Sequence, residues 1–262
     1  MAGGMADISP RFWTIFTEVY EPLPRQGPGN LASAAAALER CSGLPAAPLV
    51  LDIGCGSGGQ TLHLASLTAG RIVAFDLHAP GVARLQAAVT AAGLAGRVHP
   101  LVASMASPGL RAESFDLVWS EGALYQIGLD PALRVCREML RPGGWLVFTD
   151  AVWRSRNPSP EVKAMFDYDY PAMGGVPELL AAVERAGFAL ADHFTLPEEA
   201  WWADFYTPME QRIEALRQHY AGDAEAHAIL DQLASEPEMH RRHGAEYAYE
   251  FVVARRPARP VQ

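Results

Sequence analysis

The chain has 262 residues, 50% hydrophobic and 19% charged, enough for one large α/β domain or a domain with a substantial insertion. Its 30 Asp and Glu against 21 Lys and Arg leave a net charge of −9, which repels phosphate backbones and disfavours a nucleic-acid substrate. Cysteines at 41, 55 and 136 are odd in number and lack metal spacing, as in a reducing cytoplasm.

Met1 to Pro10 lacks the stretches of a signal peptide, and no apolar run approaches the roughly 20 residues that span a bilayer. A cytoplasmic protein with no membrane partner is therefore expected, and frequent Ala and Arg with little Lys suit a GC-rich bacterial source.

Pro10 to Tyr20 places apolar and aromatic residues at helical spacing, and a loop of proline and glycine, Pro22 to Gly29, follows. The Ala run at 34 to 37 reads as helix. Leu49 to Leu51 is a buried strand ending in Asp52, and a turn with glycines at 54, 56, 58 and 59 leads into a helix over Gln60 to Leu67. Strand and helix signals then alternate: strands at Arg71–Asp76, Arg97–Ala103, Phe115–Trp119 and Trp145–Thr149, helices at Ala79–Ala92 and Pro131–Leu140, and a turn at Arg141–Gly144. Five strands with short crossovers predict a parallel, doubly wound sheet that binds ligands at the strands' C-terminal ends.

Beyond it come a helix at Pro177–Ala186, a sixth strand at Phe188–Thr195, a helical stretch from Glu198 to Ala234 and a seventh strand at Glu246–Ala254. A helical segment between two strands of one sheet must pack outside the sheet, so it is a candidate lid. The expected organisation is an N-terminal helical cover and loop (1–45), a sheet core (46–197 and 244–256) and a helical insertion (198–243).

The glycine turn carries the chemistry. Glycine permits positive φ and close approach of a ligand to the backbone, and the following helix offers free N–H groups. Gly54, Gly56 and Gly59 satisfy the dinucleotide pattern G-x-G-x-x-G, which keeps an NAD(P)-dependent oxidoreductase open. Asp76 ends the second strand 20 residues after Gly56, where a carboxylate accepts hydrogen bonds from ribose hydroxyls in either nucleotide reading.

The run Asp52-x-Gly-x-Gly-x-Gly resembles motif I of class I S-adenosylmethionine-dependent methyltransferases. With Arg25-Gln-Gly-Pro-Gly, Trp119-Ser-Glu-Gly-Ala-Leu-Tyr, Arg185-Ala-Gly-Phe and Tyr206-Thr-Pro-Met-Glu, the likeness extends over about residues 20 to 255 to the UbiE-like group of bacterial small-molecule enzymes. It implies a seven-stranded Rossmann-like methyltransferase fold and methyl transfer by in-line displacement from S-adenosylmethionine, with S-adenosylhomocysteine as product.

By that resemblance Asp52, Gly54, Gly56, Ser57, Gly58 and Gln60 form the cofactor loop. Arg25 and Gln26 reach over the cofactor; Leu77 beside Asp76 packs on the adenine face in either nucleotide reading, and the Ser104 hydroxyl, with Met105 as an apolar wall, could serve the adenine or be ordinary loop. Glu121 and Tyr125 face the substrate, with Glu121 also in reach of the cofactor's amino group. Ala106 stands where the family leads one to expect an acid. A non-catalytic S-adenosylmethionine-binding protein is the other alternative.

No metal is expected, because His240 and His243 lack a third ligand and are flanked by arginines, and Asp150 stands alone at a strand end. Trp201, Trp202, Phe205 and Tyr206 could cage a cationic or apolar substrate or simply pack on the sheet, and Tyr168 and Tyr170 are equally open. The expected partner is a small molecule, and a homodimer is compatible with the sequence.

Overall fold

The computed structural model describes residues 9–259. Its strands are β1 (Leu49–Ile53), β2 (Arg71–Asp76), β3 (Val98–Val102), β4 (Phe115–Glu121), β5 (Leu140–Trp153), β6 (Ala189–Thr195) and β7 (Tyr247–Arg255). They form one sheet in the order β3-β2-β1-β4-β5-β7-β6. The first five run parallel, and β7 lies antiparallel between β5 and β6.

Alternation along each strand divides the core in two. Leu51, Ile53 and Phe75 pack on one face with α5 (Leu129–Met139) and α7 (Val176–Arg185). Val50, Ile72 and Ala74 pack on the other with α2 (Leu31–Glu39), α3 (Gly59–Leu67) and α4 (Ala79–Ala91). Covering both faces makes the central strands apolar throughout. Helix α5 shows the complementary logic: Ala132, Leu133, Cys136 and Met139 share its buried side, the spacing of an amphipathic helix.

A third cluster lies above the C-terminal strand ends. It joins α1 (Pro10–Tyr20), α6 (Pro160–Asp169), a short turn α8 (Glu199–Trp201), a π-helical turn (Trp202–Tyr206), α9 (Thr207–His219) and α10 (Ala224–His243). Tyr247 and Ala151 tie this cluster to the sheet. The first eight residues of the expected N-terminal cover lie outside the described residues.

Three predicted boundaries need correction. Arg141–Gly144 does not end a turn before the fifth strand but lies within β5. Gly143 takes a φ of +82°, and the β4–β5 register shifts between Phe115 and Leu117, so the segment bulges without leaving the sheet. Helix α6 was not anticipated, because Val162 is its single fully buried position and a helix without an apolar stripe has no periodic signal. Helix α10 runs on to His243, the expected end of the insertion, past the predicted end of the helical stretch at Ala234.

Candidate active site

Strands β1 and β4 are neighbours whose following segments leave in opposite directions, the switch point at which doubly wound sheets bind ligands. The glycine loop after β1 is fixed there by its own backbone: Gly54 N and Cys55 N donate to Phe75 O at 2.9 and 3.0 Å, and Gly58 N donates to Cys55 O at 2.9 Å. Gly56 takes a φ of +52°, a conformation that L side chains rarely adopt, and a Cβ there would stand 2.4 Å from Gln26 Oε1 and displace that amide. That Gln26 oxygen accepts from Ser57 N at 3.0 Å, latching the loop after α1 onto the glycine turn. Gly58 caps α3 in the left-handed region without a side-chain hydrogen bond, so first-turn N–H groups of the helix remain available to an anion.

Asp76 is at the end of β2. Its Oδ2 accepts from Gly56 N at 2.9 Å and its Oδ1 from His78 N at 2.8 Å. Each oxygen keeps a further lone pair, enough for two hydroxyl donors. Leu77 beside it is 72% exposed, an apolar platform on the cavity rim.

Arg25 and Glu121 form a buried ion pair at 2.7 Å, their side chains 4% and 2% exposed. The second Glu121 oxygen accepts from Trp119 Nε1 at 2.8 Å. The carboxylate that the sequence directs toward substrate thus has a charged partner on one oxygen and an indole on the other. Arg25 Nη1 is buried without a hydrogen-bond partner.

These groups open into a single cavity of about 880 Å³. Every residue anticipated for the site lines it except Asp52: the loop positions 54, 56, 57, 58 and 60, then Arg25, Gln26, Asp76, Leu77, Ser104, Met105, Glu121 and Tyr125. Asp52 is fully buried beneath the loop, where Oδ2 accepts from Thr61 Oγ1 at 2.6 Å and Oδ1 has no partner. Burial pushes its carboxyl up to about 7, because a charge in an apolar environment is costly. Ala106 is exposed outside the wall, so the missing acid leaves no gap in the cavity.

The far half of the cavity is aromatic. Tyr125 stacks on Tyr170 with centroids 5.0 Å apart, and burial raises its phenol above the ordinary range. Trp201, Phe205 and Tyr206 line this half and also pack in the third cluster. Trp202 stays outside the lining, and so does Tyr168, whereas Tyr170 is part of it.

The sequence did not single out Glu236, Asp169 or Tyr20, which also face this half. Tyr20 had a local signal, since Phe12, Phe16 and Tyr20 recur every four residues on α1 and Phe16 and Tyr20 stack at 4.2 Å. Glu236 had none, because its neighbours come from remote segments.

His240 is a packing residue: it stacks on Trp201 at 4.2 Å, and its Nδ1 lies 2.9 Å from Tyr247 Oη. His243 instead lies against Ser159 and Glu246. Among the described residues no group of three or more metal-binding side chains occurs, and no helix is long and apolar enough to cross a membrane.

A model of the methyltransferase domain matches residues 51–148, from β1 into β5. The chain is a class I, S-adenosylmethionine-dependent methyltransferase. An uncharacterized methyltransferase of Bacillus subtilis, YodH, is 27% identical over 212 residues, 80% of this enzyme and 88% of that protein. The O-methyltransferase resE of Aspergillus sclerotiorum is 26% identical over 55% of each chain.

In fold, the enzyme resembles a methyltransferase from Thiobacillus denitrificans, solved with S-adenosyl-L-homocysteine. The TM-score is 0.77, with 22% identity and coverage of 97% of this enzyme and 100% of that chain. The residues present fit the cofactor: a glycine cradle that a Cβ would fill, an acid with spare lone pairs, an exposed apolar platform and an unpartnered guanidinium nitrogen.

Proposed function

We propose that the enzyme methylates a small metabolite held in the aromatic half of the cavity, beneath a cap formed by the N-terminal segment and the 198–243 insertion. The observation that carries this reading is that one cavity joins the glycine loop to rings contributed by α1 and by the helices between β6 and β7. A cavity of that size suits a small molecule and not a polymer, in keeping with the acidic chain. The relationship to the UbiE-like group, a cytoplasmic and bacterial setting and homodimer formation belong to the same proposal.

When bound, S-adenosylmethionine supplies a methyl group on a sulfonium sulfur; a bond from the nucleophile to that carbon forms as the sulfur–carbon bond breaks. In this reading Asp76 accepts from the ribose hydroxyls, Leu77, Ser104 and Met105 enclose the adenine, and Gly54, Gly56, Ser57, Gly58 and Gln60 admit the cofactor against the backbone. Arg25 Nη1 and the N-terminus of α3 face the carboxylate. Glu121 holds Arg25, so it is a positioning residue. Tyr125 presents a hydroxyl that orients the substrate. The helical cap excludes water, and alignment with dehydration supplies the rate where no strong acid is needed.

Purified enzyme incubated with S-adenosylmethionine and a panel of small metabolites should form S-adenosylhomocysteine. Asp76→Ala, which removes up to two charge-assisted hydrogen bonds, should weaken cofactor binding by at least about tenfold. Unchanged affinity in that variant would show that Asp76 does not hold the ribose.

A further inference from the structure

The charges lining the cavity do not balance. Arg25 is their one fixed cation, against four carboxylates: Asp76, Glu121, Asp169 and Glu236. Arg25 is already paired to Glu121. S-adenosylmethionine brings two positive groups and one negative, so even with it bound the chamber keeps an excess of negative charge. That excess lies in the substrate half.

Glu236, on α10, accepts from the hydroxyl of Tyr20 on α1 and from that of Tyr206 at 3.2 Å. Neither Glu236 nor Asp169 has a cationic partner within ion-pair distance among the described residues. Burial raises the Glu236 carboxyl above the ordinary carboxylate range while the two hydroxyls donating to it act the other way, so a cation placed beside it is what would favour the ionised form. An ionised carboxyl in a water-poor chamber is costly unless a cation joins it. Rings surround it: Tyr20 stacks on Phe16 at 4.2 Å, and Phe205 stacks on Tyr206 at 4.5 Å. The negative faces of the rings attract cations and repel anions. A carboxylate without a countercharge, set among aromatic faces in a cavity, is what an ammonium group needs.

Resting on the methyl-transfer reading of this cavity, we propose that the substrate is a small cationic amine whose ammonium group binds Glu236 between the rings of Tyr20, Phe205 and Tyr206. Asp169 adds longer-range attraction, since it acts electrostatically on both Tyr20 and Glu236. Anionic substrates are repelled by the same two carboxylates, and neutral ones gain only apolar contact.

Calorimetry on the full chain tests this in two stages. Titration with S-adenosylhomocysteine comes first. The loaded enzyme is then titrated with three probes of similar size and different charge: phenethylamine, 2-phenylethanol and 3-phenylpropanoate. Phenethylamine should bind at least about tenfold more tightly than either of the others, as expected for a charge-assisted contact. Glu236→Gln should erase most of that preference while holding S-adenosylhomocysteine affinity within about threefold.

Equal binding of the three, weaker binding of the amine, or no binding of it overturns the proposal while leaving the methyltransferase reading intact. A preference undiminished in a folded Glu236→Gln overturns the placement at Glu236. Should that variant not fold, Glu236→Met, an uncharged side chain of similar length, decides in its stead by the same criterion. Failure of S-adenosylhomocysteine to bind overturns the methyltransferase reading itself.

Discussion

Asp52 and Asp76 end adjacent strands and have opposite surroundings. Asp76 receives two backbone N–H groups at the cavity rim. Asp52 is sealed beneath the glycine loop with one oxygen unpartnered, and burial lifts its carboxyl to about 7. In the unfolded chain the same group titrates near pH 4. Between about pH 4 and 7 the folded state therefore holds a proton that the unfolded state has lost, so this group's contribution to stability falls as pH rises. Asp150, buried with Tyr170 Oη 2.9 Å away and likewise raised to about 7, acts in the same direction. Asp52→Asn removes the titration and keeps the shape. Denaturant unfolding of variant and parent should show the variant gaining on the parent from pH 5 to pH 8 by on the order of 3 kcal/mol. A difference independent of pH would mean that Asp52 is not the buried, titrating acid described.

At the scale of elements, the ion pair between Arg25 and Glu121 ties the loop after α1 to the end of β4, and Gln26 ties the same loop to the glycine turn. Removing one partner of a buried pair leaves an uncompensated charge at a cost of roughly 3 kcal/mol or more. Glu121→Gln should therefore lower stability, cofactor affinity and turnover together, as measured by unfolding, calorimetry and S-adenosylhomocysteine formation. Lower turnover with stability and cofactor affinity unchanged would return Glu121 to a direct contact with substrate.

The sheet strands were legible in the sequence because buried parallel strands read as short apolar runs between turn residues, as in Leu49–Leu51 and Arg71–Asp76. The cofactor half of the site was legible for a related reason: the turn, the strand-end acid and the helix start are neighbours in the chain. Helix α6 left no periodic trace. Asp52 carried the right motif, but sequence gives no sign that its carboxyl points under the loop. The Glu236 cluster joins α1, the π turn and α10, with Tyr20 and Glu236 216 positions apart, a separation that no local pattern reports.

Across the whole molecule, the cap helices hold to one another through an apolar cluster with polar contacts at its edge, and to the sheet by aromatic ones. Arg11 pairs with Asp223, Tyr220 Oη donates to Glu18 at 2.9 Å, and Trp201 packs edge-on against Tyr247 and Tyr249. The glycine loop, Asp76 and the cap helices thus line one cavity, whose two halves we propose serve donor and acceptor. A dinucleotide would need the same loop to seat a pyrophosphate, yet Gly59, the third glycine of that pattern, is packed beneath the N-terminal loop, where a Cβ would meet Pro24 O at 2.6 Å. Calorimetric titration of the purified chain with S-adenosylmethionine and, in parallel, with NAD bears most directly on this account. Saturable, one-to-one binding of S-adenosylmethionine with no detectable binding of NAD at the same concentrations is the expected result; binding of NAD in preference to S-adenosylmethionine would contradict it.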